Sequence, residues 1–61
     1  MEKRYLVSTE NGIFLISGLN LTSFIDNATR FNKIGDAMKE CVRLNDTHIF
    51  NTKFKVIPIY V

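Results

Sequence analysis

Only one segment of this chain carries a helical period. Apolar residues recur as Ile34, Ala37, Met38, Cys41, Val42 and Leu44, the spacing that places them on one stripe of an α-helix. Lys33, Asp36, Lys39, Glu40 and Arg43 fill the opposite side, with Asp36–Lys39 and Glu40–Arg43 at the i,i+3 spacing that favours ion pairs. The pattern predicts a helix over Lys33–Asn45, capped by Asn32 and ended by Asn45-Asp46. A lone amphipathic helix must lay its stripe on another layer, and the rest of the chain reads as strand and turn.

Residues Lys3–Thr9 and Ile13–Ser17 are rich in β-branched and aromatic types and flank Glu10-Asn11-Gly12. Asn-Gly suits the two left-handed residues of a type I′ hairpin turn. A two-residue loop there pairs Thr9 with Phe14, Val7 with Ile16 and Leu6 with Ser17. Tyr5, Val7, Thr9, Phe14 and Ile16 then form a core face. The other face, Leu6, Ser8, Glu10, Ile13, Leu15 and Ser17, is half apolar, which suggests a covering neighbour. Gly18 breaks the second strand, Ser23–Asp26 suits one helical turn with Thr22 or Ser23 as cap, and Ala28–Phe31 reads as a short strand. Lys53–Val61 is a last strand, with Lys53 and Lys55 pointing one way and Phe54 and Val56 the other. Pro58 cannot donate to a ladder, so this strand belongs at an edge or a bulge. The expected fold is α+β: residues 1–61 form one domain, an antiparallel sheet of three to four strands (N-terminal hairpin, short middle strand, C-terminal strand) packed on one helix.

A chain of 61 residues buries only ~60% of the surface it exposes unfolded, so its core is small. Such domains lean on disulfides, metals or partner subunits. Cys41 is the only cysteine and His48 the only histidine, so neither a disulfide nor a structural zinc site is available, while 46% of the residues are apolar. Self-association is the remaining route, and a homodimer or higher oligomer is expected through the half-apolar face or the C-terminal strand. No run reads as a signal peptide or a membrane span. The Asn-X-Thr triplets at Asn20, Asn27 and Asn45 would matter only in a secreted protein, and a cytoplasmic location is expected.

Catalytic chemistry is thin. Cys41 lies on the apolar stripe, where a thiol is inert. His48 falls in a polar loop near Asp46, and Asp36 and Glu40 lie on a solvated helix face. No Gly-rich phosphate loop occurs, and no cofactor or metal is implied. Anion binding fits better. The net charge is +2, with the excess in the second half. That is too little for a dedicated nucleic-acid binder and enough for one anionic ligand. Arg4, Arg30, Lys53 and Lys55 fall on predicted strands or strand ends and can hold phosphate, or can simply protect sheet edges. Tyr5, Phe14, Phe31 and Tyr60 can stack on a base, with Tyr5 and Tyr60 the candidates beside those cations.

The layout of Ala28-Thr29-Arg30-Phe31, then Asn32 opening a helix that carries Ala37, then Phe54-Lys55-Val56-Ile57-Pro58-Ile59, resembles small phage and prophage accessory proteins. These are similar in size and style to viral counter-defence proteins that sequester immune signalling nucleotides. The resemblance implies a non-enzymatic protein of the host cytoplasm that binds a cyclic nucleotide or an ADP-ribose conjugate. The resemblance carries over no site residue; the residue reading places the ligand of an oligomer at Arg4, Tyr5, Arg30, Lys53, Lys55 and Tyr60. The alternative is an inhibitor or adaptor that adds the sheet edge near Ile57–Val61 to a host protein.

Overall fold

The computed structural model describes residues Met1–Val61. The chain runs β1 (Lys3–Thr9), β2 (Phe14–Ser17), β3 (Asn20–Thr22), a 3₁₀ turn at Ile25–Asn27, α1 (Ile34–Thr47) and β4 (Phe54–Tyr60). The strands make one antiparallel sheet in the order β3-β2-β1-β4, and α1 lies on one face of it. The fold is α+β, with the hairpin and the C-terminal strand where the sequence puts them. No helix is long and apolar enough to cross a membrane.

The hairpin register differs by one residue from the expected one. Ser8, not Thr9, stands opposite Phe14. Thr9 N–H donates to the Ile13 carbonyl (2.9 Å), and Gly12 N–H turns back to the Thr9 carbonyl (3.3 Å). Gly12 has φ +79°, whereas Asn11 is outside the left-handed region. The connection is therefore a three-residue loop, Glu10-Asn11-Gly12, closed by a left-handed glycine, not a type I′ turn. One residue of slip exchanges the faces of β2. Leu15 enters the core, and Phe14 and Ile16 stay outside it.

The core is Val7, Leu15, Ala37, Leu44 and Phe54, with Tyr5, Leu21, Phe31, Cys41, Phe50 and Val56 packed around it. Phe50 meets Phe54 edge to face at 5.6 Å. β1 is the central strand, and Leu6 and Val7, which point to opposite faces, are both fully buried.

The middle strand is Asn20–Thr22 rather than Ala28–Phe31. Gly18, at φ +53°, opens the tight turn that allows β3 to pair with β2. The single helical turn falls two residues later than expected, with Thr22 Oγ1 accepting Phe24 N–H at 3.1 Å. Residues 28–31 instead join the sheet where β2 leaves β1. Thr29 N–H donates to the Leu15 carbonyl at 3.1 Å, and its hydroxyl donates to the Ile16 carbonyl, at the irregularity between Leu15 and Ser17. Phe31 and Tyr5 exchange reciprocal backbone bonds of 2.8 and 2.9 Å. Phe31 thus gives Tyr5 the partner that a short β2 does not, and Thr29 takes up the Leu15 and Ile16 carbonyls.

Pro58 fits the same accounting. Glu2 and Val61 exchange backbone bonds of 2.8 and 2.9 Å. Antiparallel alternation then makes Arg4–Ile59, Leu6–Ile57 and Ser8–Lys55 the bonded pairs of β1 and β4. Pro58 faces Tyr5 at a non-bonded pair, so its missing N–H costs the ladder nothing, and it lies on the edge strand as expected.

α1 starts one residue later and ends two residues beyond the expected helix. Its N-cap is Lys33, with no side-chain cap bond, in place of Asn32. Glu40–Arg43 forms at 2.7 Å, but Asp36–Lys39 is not among the ion pairs. Asn45 does not end the helix. Its carboxamide accepts Phe54 N–H at 2.8 Å and donates to the Phe54 carbonyl at 3.1 Å, fastening α1 to the outer edge of β4. His48 then closes the helix in the left-handed conformation, φ +56°.

Two substitutions check this account. Asn45→Ala orphans the N–H of the buried Phe54 and is expected to cost about 1–3 kcal/mol. Lys33→Asp supplies the missing cap and a favourable charge at the helix N-terminus, and is expected to gain about 1 kcal/mol. Urea midpoints read both, in opposite directions.

Candidate functional site

The sheet has one face under α1 and one face without a helix. On the helix-free face the bonded pairs bring Arg4 beside Ile59, Leu6 beside Ile57 and Ser8 beside Lys55, and Phe14 stands across from Ser8 on the other side. Leu6 is fully buried; Phe14, Ile57 and Ile59 are half-buried and take no part in the core under α1. Lys53 immediately precedes β4 and is exposed. Arg30 precedes Phe31, which packs toward the core at an isolated bridge with Tyr5, and is itself exposed outside the strands. This face is therefore an apolar floor with basic groups around it. Arg4 alone is tied: its guanidinium meets Glu2 Oε2 at 2.7 Å and the Lys3 carbonyl at 3.0 Å.

Tyr5 and Tyr60 are not on this face. Tyr5 lines a groove of about 330 Å³ between α1 and the β1–β4 ladder, with Lys3, Ile34, Met38, Cys41, Val42, Val56 and Pro58. Tyr60 alternates to the same side and is exposed. Of the six residues singled out in the sequence, Arg4 and Lys55 share one face and the two tyrosines share the other, so no single protomer closes all six around one ligand. The aromatic beside the cations is Phe14. Sequence reasoning placed it in the core because it took Asn11-Gly12 as the whole loop. The available signal was Glu10, which with Gly12 as a left-handed third residue makes the alternative three-residue hairpin.

The groove was also hidden by the sequence pattern. Ala37, Cys41 and Leu44 face the sheet, but Ile34, Met38 and Val42 lie on the flank, 51%, 52% and 56% exposed. The apolar stripe thus divides between core and surface.

The other reactive side chains are occupied or solvated. Cys41 donates its S–H to the Phe54 carbonyl at 2.9 Å and receives the Asn45 amide at 3.7 Å. Burial pushes its thiol above the ordinary value of 9.0, against the opposing pull of the Asn45 hydrogen bond. Glu40 is held by Arg43, which also donates to the Gly18 carbonyl at 2.9 Å. His48 is exposed at the helix end, and no group of three His, Cys, Asp or Glu residues comes together.

The β4 edge is partly closed to an added strand. Its outward groups belong to Phe54, Val56, Pro58 and Tyr60 by the alternation above. Asn45 takes both groups of Phe54, and Pro58 has no N–H, which leaves Val56 and Tyr60 as open donors.

Comparison with protein-family models, curated proteins and solved structures finds no match to this chain.

The raised Cys41 value carries a pH dependence. The folded state holds the thiol proton longer than the unfolded state does, so this contribution is complete below the ordinary value and is lost as pH rises through the folded value. Melting temperatures between about pH 8 and about pH 10.5 are expected to fall more steeply for the native chain than for Cys41→Ala. Parallel curves would show that Cys41 does not contribute.

Proposed function

We propose that this chain is a non-enzymatic, cytoplasmic binding protein that sequesters a phosphate-bearing, nucleotide-derived ligand on the helix-free face of its sheet. The observation that supports the reading is the placing of Arg4 and Lys55 on that face with Phe14, Ile57 and Ile59, to which the exposed Arg30 and Lys53 beside the sheet would add charge. Phosphate takes bidentate donors from arginine and point charges from lysine. A base can lie over the half-buried Phe14 ring and the isoleucines, since stacking needs only a π-face. Glu2 pairs with the Arg4 guanidinium in the free protein, and a phosphate would compete with it. The reading needs no nucleophile or general base, in keeping with a Cys41 thiol engaged by a carbonyl and a Glu40 engaged by Arg43. A cyclic dinucleotide or an ADP-ribose conjugate fits this chemistry, as the layout resemblance to counter-defence proteins implies. Addition of the β4 edge to a partner sheet is less favoured, because Asn45 and Pro58 interrupt its row of donors.

Calorimetry against cyclic dinucleotides and ADP-ribose conjugates tests the proposal. At least one ligand is expected to bind with a dissociation constant on the order of micromolar. Arg30→Ala or Lys55→Ala should weaken it about tenfold, and rising salt should weaken it further. Binding no tighter than millimolar across the panel, or affinity indifferent to both substitutions, refutes it.

A further inference from the structure

The hairpin loop that fixes the register of β2 also holds the one Asn-Gly step of the chain, Asn11-Gly12. The ends of the loop are fastened. Thr9 N–H donates to the Ile13 carbonyl at 2.9 Å, and Thr9 Oγ1 accepts the Ile13 N–H at 3.2 Å. The tip is open. Asn11 and Gly12 are both exposed, and a Cβ at Gly12 would meet no atom within 4 Å beyond its chain neighbours. The Gly12 N–H is held only by the Thr9 carbonyl at 3.3 Å, longer than an ordinary N–H···O bond. In any asparagine the carboxamide carbon lies within reach of the next main-chain nitrogen, and closing a ring between them gains from that proximity. A side chain on the next residue hinders the attack. The other five asparagines each precede such a residue, and the Asn45 carboxamide is in addition taken up by Phe54.

We infer that Asn11 is a site of spontaneous covalent modification, and that its isoaspartyl product lengthens the loop on which the β1–β2 register depends. The Gly12 nitrogen gives its proton to solvent base and bonds to the Asn11 side-chain carbonyl carbon. The carbon–nitrogen bond of the carboxamide breaks, and ammonia leaves with a proton from solvent. The cyclic imide that joins the two residues is then opened by water. Attack at the side-chain carbonyl gives aspartate. Attack at the main-chain carbonyl gives an isoaspartyl residue, in which the chain runs through the side-chain carbons. Either product puts a carboxylate beside Glu10 where the chain had a neutral amide. The isoaspartyl form also adds a methylene to the main-chain path between Thr9 and Ile13. The native loop closes on Gly12 at φ +79°, with its N–H turned back to Thr9, and a longer path through residue 11 draws that nitrogen away. Loop length sets hairpin register, so the isoaspartyl chain holds β2 less firmly than the aspartyl one. The step needs only water and stands independently of the ligand proposal.

Peptide mapping by mass spectrometry, on the chain held folded at about pH 7 and at about pH 9, provides the test, with circular dichroism of each variant to establish folding. A gain of about 1 Da is expected at Asn11 before any other asparagine, faster at the higher pH, with isoaspartyl in excess of aspartyl. Asn11→Gln should abolish the gain at that position. Asn11→Asp carries the new charge without the extra methylene, so the converted native chain should melt about 5 °C below it. If Asn11 stays intact in the folded chain while the urea-unfolded chain converts, the loop shields it and the inference is overturned. So it is if the product is aspartate alone, or if the converted chain melts together with Asn11→Asp.

Discussion

The register between β1 and β2 decides which side chains of β2 each face of the sheet contains. It is set by Gly12, whose left-handed backbone closes a loop of Glu10, Asn11 and Gly12. Strand side chains alternate, so a hairpin cannot be half right: a shift of one residue exchanges every side chain of β2 between core and surface. With this loop Leu15 reaches α1 and Phe14 turns to the opposite face. What β2 contributes to the helix-free face therefore follows from the loop that Gly12 closes, while the β1–β4 register sets the rest.

Hydrogen-bond accounting links the rest of the fold. β1 is central, and its two sides must be filled along its length. β4 fills one side, and alternation places Pro58 where no ladder bond is missed. β2 fills part of the other side and then diverges, where Phe31 pairs with Tyr5 and Thr29 holds the diverging β2 through the Leu15 and Ile16 carbonyls. Phe54 has its outward N–H and carbonyl taken by Asn45 from the helix, which couples the last strand to α1 through two side-chain bonds. These bonds also protect part of the exposed edge. A small sheet gains from that, because an open row of donors invites pairing with other chains.

The surplus of apolar surface is a consequence of geometry. α1 rests over β1 and β4 through Ala37, Cys41 and Leu44, and a helix presents to a flat sheet a narrower arc than the apolar arc this one carries. Ile34, Met38 and Val42 are left at the flank. The same limit applies on the other side of the sheet, where Leu6 is covered but Phe14, Ile57 and Ile59 are only half covered. Both surfaces have unpaired or partly paired charges at their margins, which gives each a directional chemistry beyond hydrophobicity.

The α+β class, the hairpin, the single helix and an edge strand at the C-terminus were all legible in the sequence, because each follows from a local period or a local turn signal. The face of Phe14, the division of the helix stripe, the role of Asn45 and the choice of Asn20–Thr22 over residues 28–31 as the third strand were not. Each depends on which groups far apart in sequence come together. The helical period says that Ile34 and Ala37 are apolar neighbours, but only the position of α1 on the sheet says that one is buried and the other exposed. Local pattern fixes the type of each element; register and docking, which are long-range, fix what the surface offers to a ligand.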